Sequence, residues 1–141
     1  MGRRALRITV DTNILVRAAV LDDVRQAEPA ARLLREADLI AATLPALCEF
    51  SRVLRRGYRW SPAEVAGFIR QLLASPAVVV DRPAVEAGLA LLDTGGDFAD
   101  GVIAFEGRRL GAEVFASFDR DAVRLIAAIG GQTHLLANRA G

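Results

Sequence analysis

The chain has 141 residues, is 52% hydrophobic and carries a formal net charge of +1, enough for one domain with a substantial core. No apolar run reaches the roughly 18 residues a membrane helix needs; the longest stretch without Asp, Glu or Arg, residues 125–138, contains Gly130, Gly131, Gln132 and His134. A single cysteine, Cys48, excludes an internal disulfide and a thiolate zinc site. All 18 basic residues are arginine, which fits a G+C-rich genome and carries little functional weight. The basic opening, residues 2–7, resembles the start of a secretion signal. Its apolar stretch is cut off at Asp11, so a cytoplasmic location is expected.

Residues 6–10 read as a buried strand ending in Asp11, and Thr12 begins a short helix to Ala19. Asp22 and Asp23 mark a turn, followed by a helix over 26–37 with Pro29 in its first turn. A second strand covers 39–42. Thr43 can then cap a helix through Glu49 to Arg56, with Pro45 near its start and Gly57 as its end. Ser61-Pro62-Ala63-Glu64 is a capping-box pattern opening a helix to Ala74. Residues 77–80 form a β-branched strand, and Pro83 opens a helix to Leu92. After Gly95-Gly96, Asp97 can cap a helix to Leu110 with Gly111 as its stop. A strand over 113–117 leads into Asp119, a helix follows over 122–129, and 133–136 suits a final edge strand. Strands alternating with helices predict an α/β fold: a single three-layer α/β/α domain, residues 1–141, around a central parallel sheet.

Open parallel sheets place their sites at the carboxyl ends of the strands. Asp11 and Asp119 follow strands of the same type, and Glu49 and Asp100 lie early in helices that begin where the chain leaves the sheet. Each acid alone has a plainer reading. Asp11 and Asp119 can be helix caps, and Asp100 shares a first turn with Asp97, where both favour the helix dipole. Glu49 interrupts a segment in which Leu47, Cys48, Phe50 and Val53 should face the core, yet it also shares a stripe with Arg52 and Arg56. Taken together, four carboxylates on one rim would repel one another unless a cation neutralised them. Hard oxygens without His or Cys favour Mg²⁺, with Mn²⁺ as the alternative, over zinc. One or two such ions suit hydrolysis of a phosphodiester. With the quartet set aside, the rest of the chain is mildly basic, as suits a polyanionic substrate.

Val10-Asp11-Thr12-Asn13-Ile14-Leu15, Leu47-Cys48-Glu49-Phe50, Gly96-Asp97-Phe98-Ala99-Asp100 and Ser117-Phe118-Asp119-Arg120-Asp121 resemble the four signature blocks of PIN-domain nucleases. The resemblance is nearest to VapC-type toxins of bacterial toxin–antitoxin pairs. It covers nearly the whole chain, in order and at the family's spacing. Ala122 stands where an aromatic is commoner and Ser117 where Thr is frequent; neither change touches the acids. The resemblance implies that Asp11, Glu49, Asp100 and Asp119 form the catalytic quartet. Asp11 and Asp100 would be the firmest ligands of Mg²⁺, joined by Asp119, with Glu49 completing the site. It further implies an RNA substrate, a cognate antitoxin protein and a homodimer.

Asn13 can orient a carboxylate or serve turn chemistry, and Thr12 and Ser117 can support the metal shell or merely cap locally. Asp97 reads as a cap, Asp121 as a first-turn charge, Cys48 as buried and inert, and His134 as structural. Arg52, Arg55, Arg56 and Arg59, with Tyr58 and Trp60, form the densest basic–aromatic stretch. It suits either RNA phosphates and a stacked base, or a solvated helix end with Trp60 packed inward. Two other functions compete with the nuclease. An α/β phosphatase or phosphotransferase would use Asp11 as nucleophile, but Asn13 occupies the position of its usual second acid and the chain has no lysine. A non-catalytic RNA- or protein-binding module would use the acids only as caps.

Overall fold

The computed structural model describes residues 4–139; the Gly2 and Arg3 portion of the basic opening lies outside the described residues. The chain divides into two compact units, Met1–Asp81 and Arg82–Gly141. Both are α/β, and every strand pairing among the described residues is parallel. Among those residues no helix is long and apolar enough to cross a membrane.

The first unit contains strand β1 (Arg7–Thr9), helices α1 (Thr12–Ala19) and α2 (Val24–Glu36), strand β2 (Leu39–Ala41), helices α3 (Leu44–Arg52) and α4 (Pro62–Ala74), and strand β3 (Val78–Val79). Its sheet runs β1-β2-β3, with Ile8 opposite Ile40 and Ile40 opposite Val78. This register brings the ends of all three strands to one rim, so Asp11 and the α3 cap Thr43 leave the sheet side by side. Val10, Leu15, Ile40, Leu47, Phe50, Leu54, Val65 and Ile69 are almost fully buried. At about 25 cal/mol per Å² of apolar surface, such side chains supply most of the unit's stability. The Phe50 and Phe68 rings meet at 5.1 Å.

The caps act as the sequence predicts. Thr43 accepts from the Ala46 N–H, and the Ser61–Glu64 capping box is closed from both sides. Two local features differ from expectation. Helix α2 begins at Val24, because Asp23 acts as a cap and accepts from the Arg25 N–H. Pro29 therefore stands inside the helix, where it has no N–H to offer the preceding turn. The expected single helix to Arg56 instead ends at Arg52 and widens into a π-helical turn over Val53–Gly57. There the Tyr58 N–H donates to the Val53 carbonyl at 3.3 Å, and the Trp60 N–H donates back to Leu54 at 2.9 Å.

The second unit contains helices α5 (Arg82–Asp93) and α6 (Phe98–Arg109), strand β4 (Val114–Ser117), helix α7 (Arg120–Ala128) and strand β5 (Gln132–Leu135). Strands β4 and β5 pair with Ala116 opposite His134 and Ser117 opposite Leu135. His134 is thus a ladder residue, as its isolation in the sequence suggests. Helices α5 and α6 pack closely enough that a Cβ on Gly101 would lie 2.3 Å from the Ala87 carbonyl oxygen. The Phe98 ring fills the space that a side chain at Gly88 would need. Arg109, in the last turn of α6, lies 4.7 Å from the centre of the Phe105 ring and pairs with Glu106.

Candidate active site

In the first unit the chain leaves β1 through buried Val10, whose N–H donates to the Ala41 carbonyl at 3.2 Å. Asp11 follows in extended conformation, and its Oδ1 accepts from the Ile14 N–H at 3.0 Å, capping α1. The cap engages one carboxylate oxygen and sets the charge at the positive end of the helix. Capping and ligation are therefore compatible at Asp11, since a carboxylate has a second oxygen. The Thr12 hydroxyl donates to the Ala46 carbonyl at 3.4 Å and so joins α1 to the first turn of α3, which carries Glu49. Glu49 is half-buried, and its Oε2 lies 3.0 Å from an Arg52 guanidinium nitrogen. The stripe reading of Glu49 is thereby realised for its nearer arginine. Leu47 and Phe50 face the core as expected, whereas Cys48 is half-buried rather than enclosed.

Asn13 is held by two side chains. Its amide donates to Gln26 Oε1 at 3.4 Å, and its Oδ1 accepts from Arg17 Nε at 3.3 Å. Arg17 also donates to Asp22 at 3.0 Å and to the Tyr58 hydroxyl at 3.1 Å. The sequence does not announce this network of Arg17, Gln26 and Tyr58. The i,i+4 spacing of Asn13 and Arg17 is a usable signal, but Tyr58 lies 41 residues from Arg17 and gives none.

In the second unit, Asp97 caps α6 by accepting from the Ala99 N–H at 2.8 Å. Asp119 caps α7 by accepting from the N–H groups of Asp121 and Ala122 at 2.9 and 3.1 Å. Ser117 Oγ accepts from the Asp119 N–H at 3.0 Å, which fixes the chain just ahead of that cap. Asp121 stands in the first turn of α7, 3.5 Å from Arg124. Asp100, in the first turn of α6, is half-buried. Burial pushes its carboxyl above the usual carboxylate range, and the charges of Asp97 and then Asp119 push it further the same way.

Asp100 thus answers its surroundings either by holding a proton or by meeting a cation. The donors are carboxylates only, a set suited to a hard ion such as Mg²⁺. Among the described residues, no three His, Cys, Asp or Glu side chains stand close enough to share an ion without adjustment. The structure therefore places Asp11 and Glu49 on adjoining helices of the first unit, and Asp100 and Asp119 within each other's field in the second.

The sequence matches the model of the PIN domain family over residues 8–128, a span containing all four carboxylates. Among solved structures it is similar to VapC20 of Mycobacterium tuberculosis, described as a sarcin–ricin-loop-cleaving toxin. The identity is 21% and the TM-score 0.42, over 87% of this chain and 95% of that one. No curated protein matches the sequence.

Proposed function

Because the chain belongs to the PIN domain family, we propose that it is a metal-dependent endoribonuclease acting as the toxin of a toxin–antitoxin pair. The observation that carries this reading is the family match across residues 8–128, a span that contains Asp11, Glu49, Asp100 and Asp119. The crowding of charge at Asp100 supports it, since a cation would relieve a repulsion built into the second unit. Asp11, Asp100 and Asp119 would hold Mg²⁺, or Mn²⁺ in its place, and Glu49 would complete the site. When bound, the ion supplies Lewis acidity and makes water a better nucleophile near neutral pH.

The chain's own residues do the positioning. Helix capping fixes one oxygen of Asp11 and one of Asp119, so each carboxylate has a defined orientation before any ligand arrives. The Thr12–Ala46 bond holds α1 against α3, and with it the segment carrying Glu49. The Ser117 hydroxyl fixes the backbone ahead of Asp119, and Arg17 and Gln26 hold the Asn13 amide two residues beyond Asp11. Glu49, which pairs with Arg52 in the structure, would complete the site and position the attacking water. The substrate would be RNA, and a cognate antitoxin protein would mask the site; a homodimer is the expected state.

The test is cleavage of labelled single-stranded and structured RNA by the purified protein in Mg²⁺, in EDTA, and after Mg²⁺ is restored. The reading predicts cleavage that stops in EDTA and returns with the ion. Cleavage that persists in EDTA would remove the metal. Hydrolysis of a small phosphomonoester with no action on RNA would favour a phosphatase instead.

A further inference from the structure

We propose that Arg56, in the π-helical turn after α3, and Arg59, at the corner just past it, form a phosphate-gripping subsite for single-stranded RNA. The inference rests on the ribonuclease reading and names a part of the substrate that the acids do not touch. Between Glu49 and Glu64 the chain holds four arginines and no acid, and the structure sorts those arginines into two kinds. Arg52 is matched by Glu49 at 3.0 Å, and Arg55 turns inward to donate to the Trp60 carbonyl at 3.0 Å. Arg56 and Arg59 are exposed, and neither has a carboxylate partner among the described residues.

Their backbone is set rather than loose. The Arg55–Trp60 contact, the Trp60–Leu54 bond at 2.9 Å and the Tyr58–Val53 bond at 3.3 Å close the turn over fully buried Leu54. Arg59 sits at the corner with φ of +58°, a left-handed conformation that favours glycine. A strained corner that keeps a guanidinium where glycine would fit without cost points to use of that charge. The corner is also tied to the acids' side of the unit. The Tyr58 hydroxyl accepts from Arg17, on the same short helix that Asp11 caps. Two exposed guanidinium groups three residues apart on such a turn suit phosphates of one strand, and a pre-ordered turn loses less entropy on binding.

The experiment measures binding of the full chain to a fluorescent single-stranded RNA by anisotropy, in EDTA, across a salt series. The proteins compared are wild type, Arg56→Gln, Arg59→Gln, the double variant, Arg59→Gly, and Arg32→Gln as a control on α2. For a single strand, each phosphate that the protein no longer neutralises reduces the slope of log affinity against log salt by about 0.7. The double variant should therefore show a slope shallower by about 1.4, with roughly tenfold or more weaker affinity at low salt. Arg59→Gly should bind as weakly as Arg59→Gln while its melting temperature is unchanged or raised, because glycine takes the corner without strain. Arg32→Gln should behave as wild type.

A double variant with wild-type affinity and slope overturns the subsite; if that protein's parent still cleaves RNA in Mg²⁺, the ribonuclease reading stands. A wild-type protein that neither binds nor cleaves any RNA overturns both. Displacement of the RNA by poly-L-glutamate as readily as by unlabelled RNA, at equal charge, would overturn the subsite in favour of an acidic polypeptide.

Discussion

In the first unit Glu49 has a guanidinium 3.0 Å away and Asp11 is engaged in a helix cap, whereas in the second unit half-buried Asp100 has Asp97 and Asp119 as its charged neighbours. The difference is one of charge balance. In the first unit each acid has a local partner, a helix N–H for Asp11 and the Arg52 guanidinium for Glu49. The second leaves a carboxyl whose ionised form is opposed by burial and by two like charges. A cation bound beside Asp100 would relieve that opposition.

The largest expected effect is on chemistry. Asp100→Asn should lower RNA cleavage by about 10²–10³-fold or more, the scale on which removal of one electrostatic contact to a transition state acts. Next comes the packing that places Asp100. Gly101→Ala would set a Cβ 2.3 Å from the Ala87 carbonyl oxygen. The helices must separate, at a cost of about 1–3 kcal/mol, read as a lower denaturation midpoint. Asp11 separates capping from ligation. Asp11→Asn keeps a good cap and should leave stability within about 0.5 kcal/mol, whereas Asp11→Ala should cost about 1 kcal/mol. Both should lose cleavage. If Asp11→Asn cleaves normally, the first unit's acid is a cap and nothing more.

Two smaller effects sharpen the contrast. Glu49→Gln breaks a partly exposed ion pair and should change stability by less than about 0.5 kcal/mol, so any large loss of cleavage reflects the site itself. Asp100→Asn should reveal the frustration of the second unit in EDTA. The folded-state pKa is raised above the ordinary 3.8, so the native protein binds that proton more tightly than the unfolded chain does. Wild type therefore loses stability as pH rises through the interval from 3.8 to the raised value. Above the interval the Asn variant should melt higher than wild type, and below it the two should coincide. Added Mg²⁺ should narrow the gap by stabilising wild type alone.

Much of this architecture is legible in the sequence because helix starts are chemically marked. Asp11, Thr43, Ser61, Asp97 and Asp119 all cap the helices their positions predict. Asp23 is less legible, since an aspartate pair reads equally as a turn. The π-helical turn is hidden because Val53, Leu54 and Arg55 continue a helical pattern without a break. What widens it is a set of bonds to Tyr58 and Trp60 that local periodicity does not encode. Gly101 shows the same limit, since a glycine inside a helix does not announce which helix approaches it. The four acids can be picked out in the sequence, whereas their individual surroundings cannot. Only the folded chain separates Glu49, matched by Arg52, from Asp100, opposed by Asp97 and Asp119.

Asp11 and Asp100 are proposed to serve one metal-dependent reaction on RNA. Its most direct test is the cleavage rate of Asp11→Asn and Asp100→Asn on one RNA in Mg²⁺, with both variants shown to be folded by their thermal melts. Each variant alone should lose nearly all activity, to the level of wild type in EDTA. A folded variant of either kind that cleaves at the wild-type rate would contradict the proposal.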